Sequence, residues 1–321
     1  MQSDRPITVG IVGARGYAGA ELIGLIARHP RLRLAFAASR SQAGQPVPVP
    51  AGASPGDADF RFVDAGPGEV AGLGADAVVL AVPDGATTEY VQALGDAVIL
   101  DLSADHRFDD TWTYGLTEHN AGALRGARRI SNPGCYATAI QLALRPILGL
   151  LEGTPHAFGV SGYSGAGTTP SPRNDPAVLA DGISPYRLVG HTHEREVSRH
   201  LGRPVRFSPH VAPFFRGISV TVQARLRDPA NAESLGRLFV DAYGGSRLVR
   251  FLGERTPRVQ DIAGDPGAEI GGLAIGPDGR DIAIVCTVDN LLKGAASQAI
   301  QNLNLAFGLE SEFGLSGGPA R

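Results

Sequence analysis

The stretch ITVGIVGARGYAG, residues 7–19, carries the clearest fold signal in the first part of this 321-residue chain. It opens with a β-branched run typical of a buried parallel strand, and an amphipathic helical pattern follows as far as His29. Between them, a GxxGxxG spacing lets a pyrophosphate approach the backbone at the positive end of the helix dipole. The pattern predicts a Rossmann-type, doubly wound parallel sheet. The expected cofactor-binding residues of this loop are Gly13, Arg15, Gly16, Tyr17, Ala18 and Gly19.

The second predicted strand, residues 32–38, indicates which dinucleotide binds. It ends in Ser39 and Arg40, where an NAD-binding sheet would carry a carboxylate for the ribose 2′-hydroxyl. Because a hydroxyl and a guanidinium suit a 2′-phosphate, we expect NADP as the cofactor. The alternative is an arginine that is simply solvated at the end of a strand.

Further parallel strands are predicted at residues 76–82 and 97–102, after an irregular connection over 42–68 with at most a short strand near 60–63. Ligands of such sheets bind beyond the carboxyl ends of the strands. We therefore expect Pro83 on the cofactor rim and Arg107 and Asn132 beside the substrate. The Arg107 guanidinium suits a carboxylate or phosphate, and an ion pair with Asp101 or Asp105 is the alternative.

The turn Asn132-Pro133-Gly134 leads into Cys135 and then into an apolar, proline-free run. This pattern predicts a helix that starts at or near Cys135. The backbone N–H groups and dipole of a helix N-terminus favour a thiolate, so Cys135 is a candidate nucleophile. The alternative is a small apolar residue packed under a turn.

A second chemical cluster lies at residues 191–196. If a helix starts at Thr192, His193 and Glu196 lie one turn apart, and the carboxylate can orient the imidazole. With Cys135 they would supply a nucleophile and a general acid/base. Zinc is the competing interpretation, but His-x-His-x-x-Glu does not match the helical His-Glu-x-x-His spacing and no cysteine pair accompanies it.

The periodicity changes after the Cys135 helix. Strand-like runs at residues 158–161, 217–224 and 281–288, with a helix at 232–243, predict a mixed or antiparallel sheet covered on one face. The last apolar run, 295–307, is predicted to be a helix that packs back on the first domain.

Composition limits the classes of partner. A net charge of −3 without blocks of like charge argues against nucleic acid or an anionic membrane. Two cysteines far apart give no disulfide framework, and neither a signal peptide nor a membrane-spanning run is visible. We expect a cytoplasmic protein with a small-molecule substrate and no metal.

Taken together, five blocks of sequence resemble the N-acetyl-gamma-glutamyl-phosphate reductases over nearly the whole chain. The blocks are GARGYAGAEL at 13–22, DLSADHR at 101–107, NPGCYAT at 132–138, SGYSGAG at 161–167 and DNLLKGAA at 289–296.

The resemblance implies a fold and a reaction. The fold is an α/β Rossmann-type domain with an inserted α+β catalytic and oligomerisation domain, which we place at 1–134 and 135–290, with 291–321 returning to the first domain. A homodimer or homotetramer is expected. The reaction is the NADPH-dependent reduction of an acyl phosphate to an aldehyde in arginine biosynthesis, through a thioester on Cys135 with His193 as the catalytic histidine.

The resemblance also extends the set of candidate residues. Asn290 resembles the nicotinamide-side residue of the family, and the glycine-rich loop 161–167 resembles a substrate loop whose N–H groups approach an anion. We assign Ser164, Gly165 and Asn290 to the cofactor, and Ser161, His191 and Arg216 to the substrate, with Lys293 as a lesser candidate.

Three departures concern the substrate end. Thr168 and Thr192 stand where the family often carries basic residues, and the 263–267 turn lacks the usual asparagine. A carrier-linked aminoadipyl or glutamyl phosphate, as in lysine-type pathways, is therefore one alternative substrate. Aspartate-semialdehyde dehydrogenase is a second alternative, and a non-catalytic dinucleotide sensor or a thiol hydrolase are the others.

Overall fold

The computed structural model describes residues 5–49 and 60–315. These residues divide into two compact units, with boundaries after Pro133 and after Gly294. The functional domains predicted at 1–134, 135–290 and 291–321 stay a prediction, and their residues 1–4, 50–59 and 316–321 lie outside the described residues.

The first unit is built on a six-stranded sheet in the order β2-β1-β3-β4-β6-β5, with every pair of neighbours parallel. Its strands are β1 (Ile7–Val12), β2 (Leu32–Ala38), β3 (Ala77–Leu80), β4 (Val98–Asp101), β5 (Thr113–Tyr114) and β6 (Arg129–Ser131). Its helices are α1 (Tyr17–Arg28), α2 (Pro67–Val70), α3 (Thr88–Leu94), α4 (Thr117–Leu124) and α10 (Ser297–Ala306).

At two positions of the first loop, neighbouring backbone atoms leave no room for a Cβ, so glycine is required there. Gly13 has φ +78°, and a Cβ there would lie 2.3 Å from the Ala81 carbonyl oxygen beyond β3. A Cβ on Gly19 would lie 2.6 Å from the Ala14 carbonyl oxygen. Larger residues at either position would push α1 away from the sheet, because the obstructing atoms belong to the backbone. These contacts explain the glycine spacing that predicts the fold.

The long connection after β2 is largely irregular, as predicted. Isolated bridges join Val63 to Ala38 and Arg61 to Pro46, and α2 starts at Pro67. The part of the predicted connection that covers residues 50–59 lies outside the described residues.

The last helix, α10, belongs to the first unit. Its Asn302 is fully buried, and the side-chain amide donates to the Gly115 carbonyl oxygen at 2.9 Å and to Asn132 Oδ1 at 3.0 Å. Burial of an amide is stable only when its hydrogen bonds are satisfied, so these bonds fix the helix against the loops around β5 and β6.

The second unit is built on a seven-stranded mixed sheet in the order β11-β12-β13-β10-β7-β9-β8. The pairs β11–β12 and β7–β9 are parallel and the others are antiparallel. Its strands are β7 (Leu151–Gly162), β8 (Ser184–Pro185), β9 (Arg206–Ala212), β10 (Ile218–Leu226), β11 (Val249–Phe251), β12 (Ala268–Ile275) and β13 (Asp281–Val288). Its helices are α5 (Cys135–Leu144), α6 (Pro176–Leu179), α7 (Thr192–Leu201), α8 (Ala232–Tyr243) and α9 (Val259–Ile262).

One face of this sheet carries the core of the unit. Alternate strand residues such as Val220, Val222, Ile284 and Cys286 are fully buried and pack with α5 and α8. Side chains of the opposite face are more exposed, and Phe158 is 40 % exposed. The predicted mixed sheet with one covered face is therefore confirmed, and so is the α/β class.

Two boundaries differ from the sequence-based expectation. Strand β7 is twelve residues long, because its first half pairs with β10 in a region whose glycine and proline hide the strand pattern. The last apolar run begins with a π-helical turn, Leu292–Ala296, before α10. Within 5–49 and 60–315, no helix has the length and apolarity needed to cross a membrane.

Candidate active site

The predicted cofactor loop has the local geometry of an anion cradle. Helix α1 begins at Tyr17 after the extended residue Gly16, and no side chain caps it. The first-turn N–H groups of an uncapped helix have no partner within the helix, which suits a pyrophosphate. Arg15 is exposed, Gly16 to Ala18 are half-buried, and Gly19 is buried.

Ser39 and Arg40 fit the 2′-phosphate of NADP. The Ser39 hydroxyl oxygen is buried, and among the described residues it has no hydrogen-bond partner. The Arg40 side chain is 87 % exposed, and its Nε lies 3.8 Å from Asp64 Oδ1 in an exposed pair. Such a pair is weak, so the guanidinium is available to a doubly charged phosphate. A hydroxyl without a hydrogen-bond partner and a guanidinium in the next residue can both donate hydrogen bonds to the 2′-phosphate of NADP.

The rim turn at Pro83 is held by the loop that follows β4. Asp105 accepts from the Gly85 N–H at 2.7 Å and from the Thr87 hydroxyl at 2.6 Å. Asp84 Oδ1 accepts from the Ala104 N–H at 2.9 Å. Asp105, the second acidic residue of the DLSADHR block, thus holds the turn at residues 83–87 in place.

Arg107 and Asn132 are both buried and bonded within the first unit. Arg107 Nε donates to the Asn132 carbonyl at 2.9 Å, and its Nη2 donates to the Leu102 carbonyl at 2.8 Å. The Asn132 amide donates to the Ala295 carbonyl at 3.2 Å and accepts from Asn302 at 3.0 Å. These bonds hold together the loops after β4 and β6, while the assignment of both residues to the substrate stays a prediction.

Cys135 is the first residue of α5, as the turn and the apolar run predict. The preceding residue, Gly134, is extended and its N–H donates to Glu196 Oε1 at 2.9 Å. Because the Glu196 side chain is fully buried, this bond fixes the turn that presents the thiol. The predicted role of Glu196 in orienting His193 stays a prediction, and the bond to Gly134 is a further role that spacing on one helix could not indicate.

His193 lies in the first turn of α7, which begins at Thr192 as predicted. Its ring centroid lies 5.9 Å from that of Tyr136, the residue next to Cys135, and 4.9 Å from that of His191. The structure therefore brings the candidate acid/base to the start of the nucleophile helix. A buried carboxylate bonded to Gly134 and an imidazole near Tyr136, on either side of the Cys135 thiol in the sequence, are groups that acyl transfer uses.

His191 caps α7. Its Nδ1 accepts from the His193 N–H at 3.1 Å, and burial, followed by the charges of Arg187 and Arg173, lowers the pKa of His191 to about 4. A neutral imidazole can accept this bond, whereas an imidazolium cannot. The assignment of His191 to the substrate stays a prediction.

A pH dependence of folding follows from this cap. The unfolded chain protonates His191 below an ordinary pKa of about 6.5, whereas the folded chain does so only near 4, so stability falls as the pH drops through this window. Asparagine caps helices without titrating. When the pH is lowered from 7.5 to 5, the unfolding free energy of the parent protein should therefore fall. The fall in the His191→Asn variant should be about 2 kcal/mol smaller.

Urea unfolding at the two pH values measures this difference. The exposed His156, changed to Asn, is the matched control and should reproduce the pH response of the parent protein. If the unfolding free energy of the parent protein and of His191→Asn fell equally between the two pH values, protonation of His191 would not be coupled to folding.

Asn290 and Ser164 form a second polar group. Asn290 Nδ2 donates to Ser164 Oγ at 2.8 Å, and its Oδ1 accepts from the Gly217 N–H at 2.7 Å. Ser161 Oγ donates to the Gly162 carbonyl at 2.9 Å, while Gly165 is exposed. The loop that resembles a substrate loop is therefore anchored to the end of β13, and its ligand roles stay predictions.

Arg216 forms an ion pair with the fully buried Asp289, with Nε 2.5 Å from Oδ2. The same carboxylate oxygen accepts from the Gly264 N–H at 2.7 Å. The 263–267 turn, which departs from the resembled family, thus supports Asp289 through its backbone. These contacts favour a structural role for Arg216, and its contact with substrate stays a prediction.

Two further residues near His191, Tyr186 and Arg173, lie outside every motif of the sequence. The hydroxyl of Tyr186 is hydrogen-bonded to that of Tyr136, and burial, followed by the charge of Cys135, raises the pKa of Tyr186 to about 12. The Arg173 Cζ lies 5.4 Å from the centre of the Tyr186 ring. The available signal for these two residues was their position in a glycine- and proline-rich loop that also contains Arg187, because loops often carry functional residues.

Comparison with protein-family models identifies both halves of the chain. Residues 8–127 match the semialdehyde dehydrogenase NAD-binding domain, and residues 135–290 match the semialdehyde dehydrogenase dimerisation domain.

Solved structures share the fold. Aspartate semialdehyde dehydrogenase II of Vibrio cholerae, complexed with ASA, matches with a TM-score of 0.76 and 18% identity over 94% of this chain and 98% of that chain. The Candida albicans aspartate semialdehyde dehydrogenase with NADP matches with a TM-score of 0.72 and 16% identity over 94% and 98%.

Curated relatives are much closer in sequence. The N-acetyl-gamma-glutamyl-phosphate reductase of Stenotrophomonas maltophilia is 52% identical over 96% of this chain and 98% of its own length. Proteins of the same name from Xanthomonas campestris pv. campestris and Xylella fastidiosa are 51% and 48% identical, and cover 95% and 96% of this chain and 96% and 94% of their own lengths. The resemblance carried by the five sequence blocks is thus confirmed, and the chain belongs to the N-acetyl-gamma-glutamyl-phosphate reductase family.

Proposed function

We propose that this protein reduces N-acetyl-L-glutamyl 5-phosphate to N-acetyl-L-glutamate 5-semialdehyde and phosphate, with NADPH, in arginine biosynthesis. The observation that carries the proposal is Cys135 at the start of α5, with the preceding Gly134 bonded to Glu196 and the ring of the following Tyr136 5.9 Å from that of His193. The relatives that share about half of the sequence bear the name of this activity. We do not favour a carrier-linked substrate or aspartate semialdehyde. The relatives that are about half identical to this chain are named for N-acetyl-gamma-glutamyl phosphate.

The first step forms a thioester. The N-terminus of α5 favours the Cys135 thiolate, which attacks the acyl carbon while the carbon–oxygen bond to phosphate breaks and phosphate leaves. Glu196 keeps the turn before the thiol in place through Gly134, so that the sulfur is presented in one geometry.

The second step releases the aldehyde. When bound, NADPH supplies a hydride to the thioester carbon. His193 stabilises the resulting oxyanion on that carbon by hydrogen bonding, and the backbone N–H groups at the start of α5 assist. The oxyanion then collapses, the carbon–sulfur bond breaks, and Cys135 is regenerated as a thiolate.

The residues proposed to hold NADP are those of the loop Gly13–Gly19, with Ser39 and Arg40 for the 2′-phosphate. Pro83 contributes the rim turn, and Ser164, Gly165 and Asn290 are proposed for the nicotinamide side. The proposed catalytic residues are Cys135 and His193, and Glu196 is a positioning residue that acts through Gly134. A cytoplasmic location stays a prediction from the sequence.

The reaction is tested in reverse by phosphate-dependent reduction of NADP with N-acetylglutamate semialdehyde. Aspartate semialdehyde should give a kcat/KM lower by at least about 100-fold, because one site cannot satisfy the polar groups of both substrates equally. NAD in place of NADP should raise the cofactor KM. Turnover that needs no phosphate, or a preference for aspartate semialdehyde, would contradict the proposal.

The match of residues 135–290 to a dimerisation domain indicates an oligomer. We propose a homodimer formed through the face of the seven-stranded sheet that the helices leave open, with a tetramer of two such dimers as the alternative. Phe158 is 40 % exposed there, and its ring lies 4.4 Å from that of His210. Burying such aromatic side chains is a common source of interface stability.

The interface is tested with Phe158→Asp, which would place a carboxylate in the buried centre of the pair. We expect dissociation to be at least about 100-fold easier, measured by sedimentation equilibrium. Val240 on α8 is 56 % exposed, so Val240→Asp is the matched control and should leave the mass unchanged. An unchanged mass for both variants would contradict this face as the interface.

A further inference from the structure

Two arginines lie in the loop between β7 and α7 without a carboxylate partner. Among residues 5–49 and 60–315, neither Arg173 nor Arg187 has an ion pair with an acidic side chain, and both are exposed. Arg187 also has φ +41°, a left-handed conformation that is uncommon for residues with a Cβ. Strain of this kind is often found where a side chain must be held for a ligand.

Aromatic rings connect these arginines to the histidines of the site. The Arg173 Cζ stands 5.4 Å from the centre of the Tyr186 ring, within the range of a cation–π contact. The Tyr186 ring centroid lies 5.6 Å from that of His191, and His191 lies 4.9 Å from His193. The charges of Arg173 and Arg187 both act on the pKa of His191, so both guanidinium groups lie near this imidazole, and we call them the arginine rim.

The loop is attached to the unit at Tyr186. Its N–H donates to the Pro209 carbonyl on β9 at 3.2 Å, and its hydroxyl is bonded to that of Tyr136. Tyr136 follows Cys135 in α5 and also donates to the His210 carbonyl at 2.7 Å. Tyr186 therefore couples the position of the arginine rim to the helix that carries the thiol.

The charges that act on His191 are those of Arg187 and Arg173, although the loop also carries Asp175 and Asp181. Burial and then the two arginines depress the pKa of His191, so the imidazole adds no positive charge near neutral pH. Tyr186 remains protonated, because burial and the neighbouring Cys135 raise its pKa to about 12. Two guanidinium groups without an ion-pair partner in the described part of the chain thus lie near the neutral His191, one of them over the Tyr186 ring, an arrangement suited to an oxyanion from solution.

We propose that Arg173 and Arg187 form an anion-binding rim beside the Cys135 thiol that binds an oxyanion group of the acyl-phosphate substrate, its carboxylate or its phosphoryl group. This inference rests on the proposed function for the identity of the substrate. The binding of some anion by these arginines does not depend on the proposed function. Arg173 contributes through a guanidinium held over Tyr186, and Arg187 through a backbone conformation that projects it from the same loop.

The first test uses the charge of an alkylating reagent. Iodoacetate and iodoacetamide modify the same thiol, and only iodoacetate is an anion, so the ratio of their rate constants reports the local positive charge. We expect Arg173→Gln and Arg187→Gln each to lower this ratio roughly three- to tenfold, and the double variant to lower it further. Raising the salt concentration should lower the ratio in the parent protein.

Mass spectrometry assigns the modified thiol in this test, and Cys135→Ser provides the blank. Arg237→Gln on α8 is the matched control, because Arg237 is exposed and pairs only with an exposed glutamate among the contacts described for it. It should leave the ratio unchanged. An unchanged ratio in both single variants would overturn the proposal, whatever the enzyme reduces.

The second test identifies the oxyanion. In the reverse assay phosphate and aldehyde are separate substrates, so a rise in the phosphate KM assigns the rim to the phosphoryl group, and a rise in the aldehyde KM assigns it to the carboxylate. We expect about a tenfold rise in one of them for Arg173→Gln, partly rescued by Arg173→Lys, with the NADP KM unchanged. A lower alkylation ratio with neither KM raised would overturn the assignment to the substrate.

Discussion

Replacing Cys135 with serine is expected to abolish aldehyde formation, with turnover at least about 1,000-fold below that of the parent protein. The hydroxyl has nearly the shape of the thiol but is not ionised at neutral pH, so the start of α5 holds no anion to attack the acyl carbon. Because the position is half-buried and the exchange nearly isosteric, unfolding free energy should change little.

Steady-state turnover and NADPH binding, followed by nicotinamide fluorescence, check this expectation together. Binding should be unchanged, since none of the proposed NADP contacts involves the sulfur. Cys286→Ala is the matched control: Cys286 is fully buried, and burial raises the pKa of its thiol, so it remains protonated and inert. Residual turnover above about one part in 100 in Cys135→Ser would rule out a thioester on this residue.

Gly294→Ala should give the second large effect, from a residue with no reactive group. Gly294 lies in the π-helical turn, and a Cβ there would stand 2.6 Å from Cys135 Cβ and 3.1 Å from Cys135 Cα. Since the obstruction is Cys135, the proposed nucleophile, relief requires that the start of α5 move. We expect a loss of about 1–3 kcal/mol in stability from overpacking. We also expect about a 100-fold loss in kcat from misplacement of the thiol.

Gly245→Ala is the control for this experiment, because Gly245 lies in the same unit and a Cβ there meets nothing within 4 Å. It should leave both kcat and the urea midpoint close to the parent values. If Gly294→Ala kept full turnover, the close contact with Cys135 would have no bearing on the position of the thiol. A loss of stability alone would show that α5 moves without disturbing the sulfur.

Much of the fold followed from local patterns. The GxxGxxG loop after a β-branched strand predicts the parallel sheet, and the structure shows why glycine is needed at Gly13 and Gly19. The helix over residues 232–243 has its predicted bounds, and its Asn231 cap is a local signal. The first half of β7 was not predicted, because its pairing with β10 supplies stability that the local sequence does not indicate.

The candidate site was predicted in part. The position of Cys135 at a helix start and of His193 in the first turn of α7 followed from turn residues and from the apolar run after them. The bond between Gly134 and Glu196 could not be predicted, since it joins residues 62 positions apart. Tyr186 and Arg173 were missed for the same reason, because neither lies in a motif and both reach the site through the path of a loop.

Local patterns were enough to predict the two kinds of sheet, the dinucleotide-binding loop, a candidate nucleophile and the family, because these depend on hydrophobic period, turn residues and short motifs that are contiguous in the chain. The contacts around the start of α5 came from the tertiary structure alone: Glu196 with Gly134, His193 with Tyr136, and Arg173 with the ring of Tyr186. These contacts depend on strand register and on the packing of α5 and α7. Both are set by the whole core of the unit, and no short stretch of sequence encodes them.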